Sequence, residues 1–155
     1  MESNFINQLS AQEKAFASLY RTLSKRFGLS ECGMWVCYFL LVNSGDITQQ
    51  DLVEHLMFPK QTIHSSVKKL LADQYVEVTA LPGSRKSKKL LLTERGKHHT
   101  QLTVAKMLEA EKRAMKVMGQ KEMQQYVDLQ GAYLALVKEE FAKAGLLPLK
   151  KLEDN

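Results

Sequence analysis

The sequence predicts a mostly α (α+β) fold, a winged helix-turn-helix held between long N- and C-terminal dimerisation helices. Three observations lead there. Two short amphipathic segments meet at Pro59, a strand-turn-strand pattern follows them, and long apolar stripes run through both ends of the chain.

Taken in order, the first helix is expected over residues 3–26. Phe5, Ile6, Leu9, Phe16, Leu19, Tyr20, Leu23 and Phe27 recur at helical spacing and the stripe breaks at Gly28. Ser10 and Glu13 form a capping-box pattern, which offers a second start for this helix at residue 10. Ser30 is placed to cap a second helix, ECGMWVCYFLLV, which is apolar on most sides and therefore central. Its end is expected near Asn43, with Gly45 as a left-handed stop.

Thr48 then caps a short helix with Asp51 three residues on, and Leu52, Val53 and Leu56 make its apolar face. After a break at Met57 and Phe58, Pro59 suits the first turn of a new helix, because its missing N–H has no partner there anyway. Ile63, Val67, Leu70 and Leu71 mark the inner face of that helix, predicted over residues 59–73. Val76, Val78 and Ala80 alternate as a half-buried strand would. Pro82 and Gly83 turn the chain, and Leu90 and Leu92 lie on the returning strand. The tip between them, GSRKSKK, is basic. A helix-turn-helix followed by such a hairpin is a winged helix.

Thr93 reads as the cap of a long helix to about residue 118, roughly 26 residues and about 39 Å. Gly96 in its first turn permits close packing. Gly119 separates a last helix, expected over residues 121–143 and stopped by Gly145. Its apolar positions, Met123 through Phe141, cover more than half its circumference, a surface too wide for one small domain to bury, which points to a homodimer. LLPLKKL after Gly145 reads as an arm onto the partner. With no repeats or linkers, residues 1–155 form a single domain. Residues 1–28 and 94–155 are expected to be dimerisation helices around a winged helix-turn-helix lobe at 29–93, an element whose shape suits gripping DNA.

Charge supports that function. Between residues 59 and 97 stand nine Lys and Arg against three Asp and Glu, a local +6 in a chain of net +5. On a recognition helix and wing, such clustering marks a polyanion surface. At about 100° per residue, Gln61, Ser65 and Lys68 point away from the apolar stripe, with Thr62 and Lys69 beside them and His64 at the flank. Ser65 is small enough for close approach, while Gln61, Thr62 and Lys68 offer hydrogen bonds to base edges or phosphates.

The run ITQQDLVEHL, then PKQTIHSSVKKL, then a wing ending in LLLTERGK, resembles the winged helix of MarR-family transcriptional regulators. That family commonly shows a Leu/Ile-Thr start, a Thr-Val/Ile pair in the recognition helix and a Leu-Thr-x-x-Gly closure. Ile47-Thr48, Thr62-Ile63 and Leu92-Thr93-Glu94-Arg95-Gly96 match in order and spacing. Two positions depart from the pattern: Ser84-Arg85-Lys86 stands where Asp-Arg-Arg or Asp-x-Arg is frequent, and Ser65 where many members carry Arg. The resemblance implies a homodimeric repressor on a pseudo-palindromic operator in double-stranded DNA, released by a small aromatic effector. The candidate DNA contacts are Thr48, Pro59, Lys60, Gln61, Thr62, His64, Ser65, Lys68 and Lys69, with Ser84, Arg85, Lys86 and Lys88 on the wing. The candidate effector pocket is Phe16, Tyr20, Trp35, Tyr38 and Phe39, in the position where the family binds phenolic effectors.

Other chemistry is weakly represented. No Gly-rich phosphate loop, Gly-x-Ser-x-Gly or His-Glu-x-x-His is present, so no enzyme activity and no cofactor are expected. His98 and His99 are adjacent on a helix and cannot both face one ion, so no metal site is expected. Cys32 and Cys37 lie about 140° apart around one helix and cannot pair; Cys32 in the first turn is the redox candidate. The longest apolar run, residues 32–42, falls short of the roughly 20 residues that span a bilayer. No membrane role is expected, and two cysteines without a disulfide framework suit the cytoplasm. A redox- or metal-responsive regulator of the same fold, or a winged-helix protein-interaction module without DNA binding, are the rival readings.

Overall fold

The computed structural model describes residues 2–43, 45–81, 83 and 88–147. Its elements divide between two compact units, Met1–Leu108 and Glu109–Asn155.

In the first unit, α1 runs unbroken from Glu2 to Arg26, passing through Ser10, so the earlier of the two expected starts is the one used. It stops where Gly28 turns to φ +70. The Leu29 N–H then donates to the Ser24 carbonyl at 2.9 Å and the Gly28 N–H to Lys25 at 3.1 Å, the paired bonds of a Schellman cap. Ser30 follows as the N-cap of α2 (Glu31–Val42), its hydroxyl oxygen accepting from the Gly33 N–H at 2.9 Å. Cys32, Gly33, Met34, Val36 and Cys37 are buried, which makes α2 the centre of this unit, as its composition predicts.

The end of α2 corrects one expectation. Gly45 has no positive φ; Asn43 leaves the helix in extended conformation. Its side-chain amide donates to the Phe39 carbonyl at 2.9 Å and its backbone N–H reaches the same oxygen at 3.2 Å. A side chain that itself satisfies a terminal carbonyl removes the need for a left-handed glycine.

The turn between α3 (Gln49–Leu56) and α4 (Lys60–Ala72) is made by Met57 at φ +55, with Pro59 as the N-cap of α4. The inner face of α4 is Ile63, Ser66, Val67 and Leu70, a spacing of i, i+3, i+4 and i+7. Leu71, expected inside, is 36% exposed. It lies one step past the edge of that face, and the small Ser66 takes the inner position where α4 packs on α2.

Strands β1 (Val76–Ala80) and β2 (Lys88–Leu92) form an antiparallel ribbon pairing Val76 with Leu92 and Val78 with Leu90. Val76 and Leu90 are buried, but Val78 is 39% exposed and Ala80 is exposed too, against the alternation expected of β1. The base of the ribbon packs on α2, α4 and α5, and β2 gains a further backbone bond, Leu90 N–H to the Ile47 carbonyl at 2.7 Å. Toward its tip β1 runs beyond that support.

Helix α5 (Glu94–Leu102) is capped by Thr93, which accepts from the Gly96 N–H at 2.9 Å and donates its hydroxyl to the Gln74 carbonyl at 2.6 Å. A Cβ on Gly96 would run into the Tyr75 carbonyl, so close packing there requires glycine. The single long helix expected over 93–118 is instead two. Thr103 leaves helical geometry at φ −124, ψ −86, and α6 begins at Val104 and runs to Met118. The Thr103 hydroxyl bonds the His99 carbonyl at 2.7 Å, the local competition that makes threonine a poor helix interior.

The second unit holds the remainder of α6 and helix α7 (Gln120–Lys143). Gly119 at φ +101 separates them, and Gly145 at φ +73 ends α7 with a Leu146 N–H to Phe141 carbonyl bond of 2.8 Å. Along α7, Tyr126, Val127, Leu129, Tyr133, Leu134, Leu136 and Phe141 are 42–63% exposed. Most of the LLPLKKL arm, from Pro148 on, lies outside the described residues.

Candidate nucleic-acid interface

Helix α4 is held from beneath and built up from α3. Thr48 and Asp51 form a complete capping box. The Asp51 N–H donates to the Thr48 hydroxyl oxygen at 3.2 Å, and the Thr48 N–H donates to the Asp51 carboxylate at 2.7 Å. The Thr48 hydroxyl also donates to that carboxylate at 2.7 Å, and these bonds hold the Asp51 pKa below its ordinary value. Thr48 therefore acts as a cap that fixes where α3 begins. At α4, the Pro59 carbonyl accepts from the Thr62 and Ile63 N–H groups at 2.8 and 3.1 Å. Two contacts pin α4 to α2: the Ser30 and Ser66 hydroxyls at 3.4 Å, and the Cys32 thiol donating to the Thr62 carbonyl at 3.9 Å.

With Ile63, Val67 and Leu70 turned inward, the outer surface of α4 is Lys60, Gln61, His64, Ser65 and Lys68, all exposed, with Thr62 half-buried beside them. The Ser65 hydroxyl donates back to the Thr62 carbonyl at 3.1 Å, leaving a small, smooth position in the middle of that face. Lys69 is also exposed, but it pairs with Asp73 at 3.1 Å. Of the wing candidates, Lys88 is exposed on β2, whereas Ser84, Arg85 and Lys86 lie outside the described residues. Lys89, part of the same basic run, is bound to Asp46 at 2.8 Å. The free cations of this face among the described residues are thus Lys60, Lys68 and Lys88.

One residue escaped sequence reasoning. Gln49, in the first turn of α3, places its Nε2 3.3 Å from His64 Nδ1 and so ties the start of α3 to the outer face of α4. The only sequence signal was its position directly after the Thr48 cap.

The aromatic candidates come together in part. Tyr20 meets Trp35 at a centroid distance of 5.0 Å, and Trp35 meets Tyr38 edge-on at 5.4 Å. Phe39 lies against the His55 ring at 5.3 Å, and Phe16 is 54% exposed. All four half-buried rings pack on the core of the first unit. The two cysteines are free and buried. Burial pushes the Cys37 thiol up to about 12, and raises Cys32 as well, against a lowering contact from Ser66. Neither is a ready thiolate. Among the described residues, no three His, Cys, Asp or Glu gather in a metal-binding group, and no helix is long and apolar enough to cross a membrane.

Comparison with known proteins places this geometry. The sequence model of the MarR family matches residues 38–87. No curated protein sequence matches the chain. Among solved structures, a MarR-family regulator from Neisseria meningitidis is 20% identical, with 90% of this chain and 97% of that one covered at a TM-score of 0.75. A MarR/EmrR-family regulator from an Acinetobacter species is 22% identical, with 89% and 95% covered at 0.66. Staphylococcus aureus MarR, solved in complex with salicylate and kanamycin, is 13% identical, with 90% and 93% covered at 0.66. At these identities the structural likeness speaks for the fold. The family match runs from the end of α2 through α3, α4 and β1, and the chain shares the winged-helix fold of these MarR-family structures.

Proposed function

We propose that this protein is a homodimeric, sequence-specific DNA-binding transcriptional regulator. The observation that carries the reading is the outer face of α4, where Lys60, Gln61, His64, Ser65 and Lys68 stand exposed on a helix whose inner face is anchored. A rigidly held helix with small and amide side chains at its centre and cations at its margins suits entry into a major groove. Residues 29–93 form the DNA-binding lobe, and residues 1–28 and 94–155 the dimerisation helices. Gln61 reads a base edge, while Lys60, Lys68 and Lys88 contact phosphates. Arg85 and Lys86 on the wing tip reach the adjacent minor groove or its backbone. Repression lifted by a small aromatic ligand at Phe16, Tyr20, Trp35, Tyr38 and Phe39 completes the reading, with the cytoplasm as its place of action.

The test is a mobility shift on the upstream DNA of neighbouring genes beside a scrambled duplex, at two salt concentrations. Affinity is expected to fall by roughly 0.9 log units per log unit of salt for each phosphate neutralised. Gln61→Ala is expected to cost about 1–3 kcal/mol on the operator and little on scrambled DNA. Arg85→Ala is expected to weaken both by similar factors. A flat salt dependence would remove the DNA reading and favour a protein-interaction module. An Arg85→Ala loss confined to the operator would exchange the roles of helix and wing.

A further inference from the structure

A second surface of the first unit has chemistry opposite to that of α4. Where the end of α2 meets the base of the wing and the start of α5, a cleft of about 500 Å³ opens, within the range that takes small organic ligands. Its walls are Leu40 and Leu41 from α2 and Leu91 and Leu92 from β2, four leucines that are only half-buried. Its rim is Glu77, Glu94 and Lys97. Lys97 is bound to Glu94 at 2.6 Å, and the Glu77 carboxylate lies near enough to act on the same ammonium. Glu77 forms no ion pair of its own among the described residues. The rim therefore carries two carboxylates against one ammonium, a net −1 inside a stretch whose overall charge is +6.

An apolar floor under a rim with one uncompensated negative charge is complementary to one kind of occupant. We propose that this cleft binds a lipophilic organic monocation, its apolar body on the four leucines and its charge toward Glu77. An anionic phenol would meet the same leucines but a repelling rim. The proposal concerns a site apart from the Tyr20–Trp35–Tyr38 rings and does not depend on DNA binding.

Two ions of nearly equal shape and opposite sign test it. Tetraphenylphosphonium and tetraphenylborate are titrated calorimetrically into separate samples of the full-length protein. The phosphonium is expected to bind with a dependence on Glu77, and the borate to show no binding that responds to Glu77→Gln or Lys97→Gln. Glu77→Gln is expected to weaken phosphonium binding by roughly threefold, about one charge interaction in a solvent-exposed setting. Lys97→Gln, which leaves both carboxylates unopposed, is expected to tighten it by about the same factor. Glu13→Gln on α1 serves as the control and is expected to change nothing. All three side chains are exposed, so the variants keep the fold. No phosphonium binding in the millimolar range, borate binding that Glu77→Gln tightens at the same site, or phosphonium affinities indifferent to Glu77→Gln and Lys97→Gln would each overturn the proposal.

Discussion

Helices α4 and α7 are both amphipathic, yet they dispose of their apolar residues in opposite ways. On α4, Ile63, Val67 and Leu70 are at most 3% exposed, and the rest of the helix outside that stripe is polar, apart from Leu71 and Ala72 at its end. On α7, Leu129, Leu134 and Leu136 remain 53–63% exposed within this chain. Each such leucine forgoes about 2 kcal/mol that burial would supply. The contrast separates two kinds of information in one sequence. The apolar face of α4 is satisfied inside its own unit, which frees the outer face for function. The apolar surface of α7 calls for a partner, and a second copy of the chain is the partner we propose.

The largest effects test that difference directly. Met34 is wholly buried at the centre of the first unit, so Met34→Ala is expected to destabilise it by about 2–5 kcal/mol. That loss should be the same at any protein concentration. Leu136→Asp on α7 should instead act through assembly, moving the sedimenting species from dimer to monomer. It should also abolish the dependence of the unfolding midpoint on protein concentration. A Leu136→Asp protein that sediments as a dimer would mean that this face of α7 is not the interface.

A smaller effect is expected at the cap of α3. Thr48→Ala should cost about 1 kcal/mol, read by denaturant unfolding. The pH dependence of the same box has a defined sign. Bonds from Thr48 hold the Asp51 pKa below its ordinary value, so the unfolded chain binds this proton more readily than the folded one. The stabilisation is therefore fully present above the unfolded pKa of about 3.9 and is lost as the pH falls through the folded value. The stability difference between wild type and Asp51→Ala should hold above about pH 5 and shrink between about pH 5 and pH 2. A difference that stays constant over that range would show that the carboxylate charge plays no part in the box.

The boundaries that could be read from sequence are those set by chemistry within a few residues. Gly28, Ser30, Thr48 with Asp51, Thr93, Gly119 and Gly145 all mark real helix ends, because a cap is a bond between near neighbours. Gly96 was legible for the same reason, since only a glycine tolerates the Tyr75 carbonyl. Gly45 misled because Asn43, two residues earlier, had already satisfied the carbonyl in question. Thr103 interrupts a stretch whose apolar period reads as continuous. The exchange of Leu71 for Ser66 depends on how closely α4 approaches α2, and the exposure of Val78 on where support for the ribbon ends. Neither is written in local periodicity. At the interface, the outward positions Gln61, Ser65 and Lys68 follow from helical geometry alone. The pairing of Lys69 with Asp73 was open to the same i, i+4 reasoning, while Lys89 with Asp46 and Gln49 with His64 join elements distant in sequence.

The smallest predicted effect lies in the turn that sets the angle between α3 and α4. Met57 occupies φ +55, ψ 21, the left-handed region, and its side chain is 78% exposed. A residue with a Cβ pays about 1–2 kcal/mol there, and an exposed methionine recovers little of that through packing. Met57→Gly removes the steric cost but gives the unfolded chain more freedom, a loss of about 0.4–1 kcal/mol. The balance favours the variant by up to about 1 kcal/mol, seen as a modest rise in the unfolding midpoint. The same change should leave operator affinity nearly unaltered if α4 is oriented by its own anchors, Ile63, Val67 and Leu70 with the Ser66 and Cys32 contacts. If Met57→Gly stabilises the fold yet weakens operator binding severalfold, the rigid turn itself takes part in presenting α4. The self-sufficiency ascribed to that helix would then extend only to its burial and not to its aim.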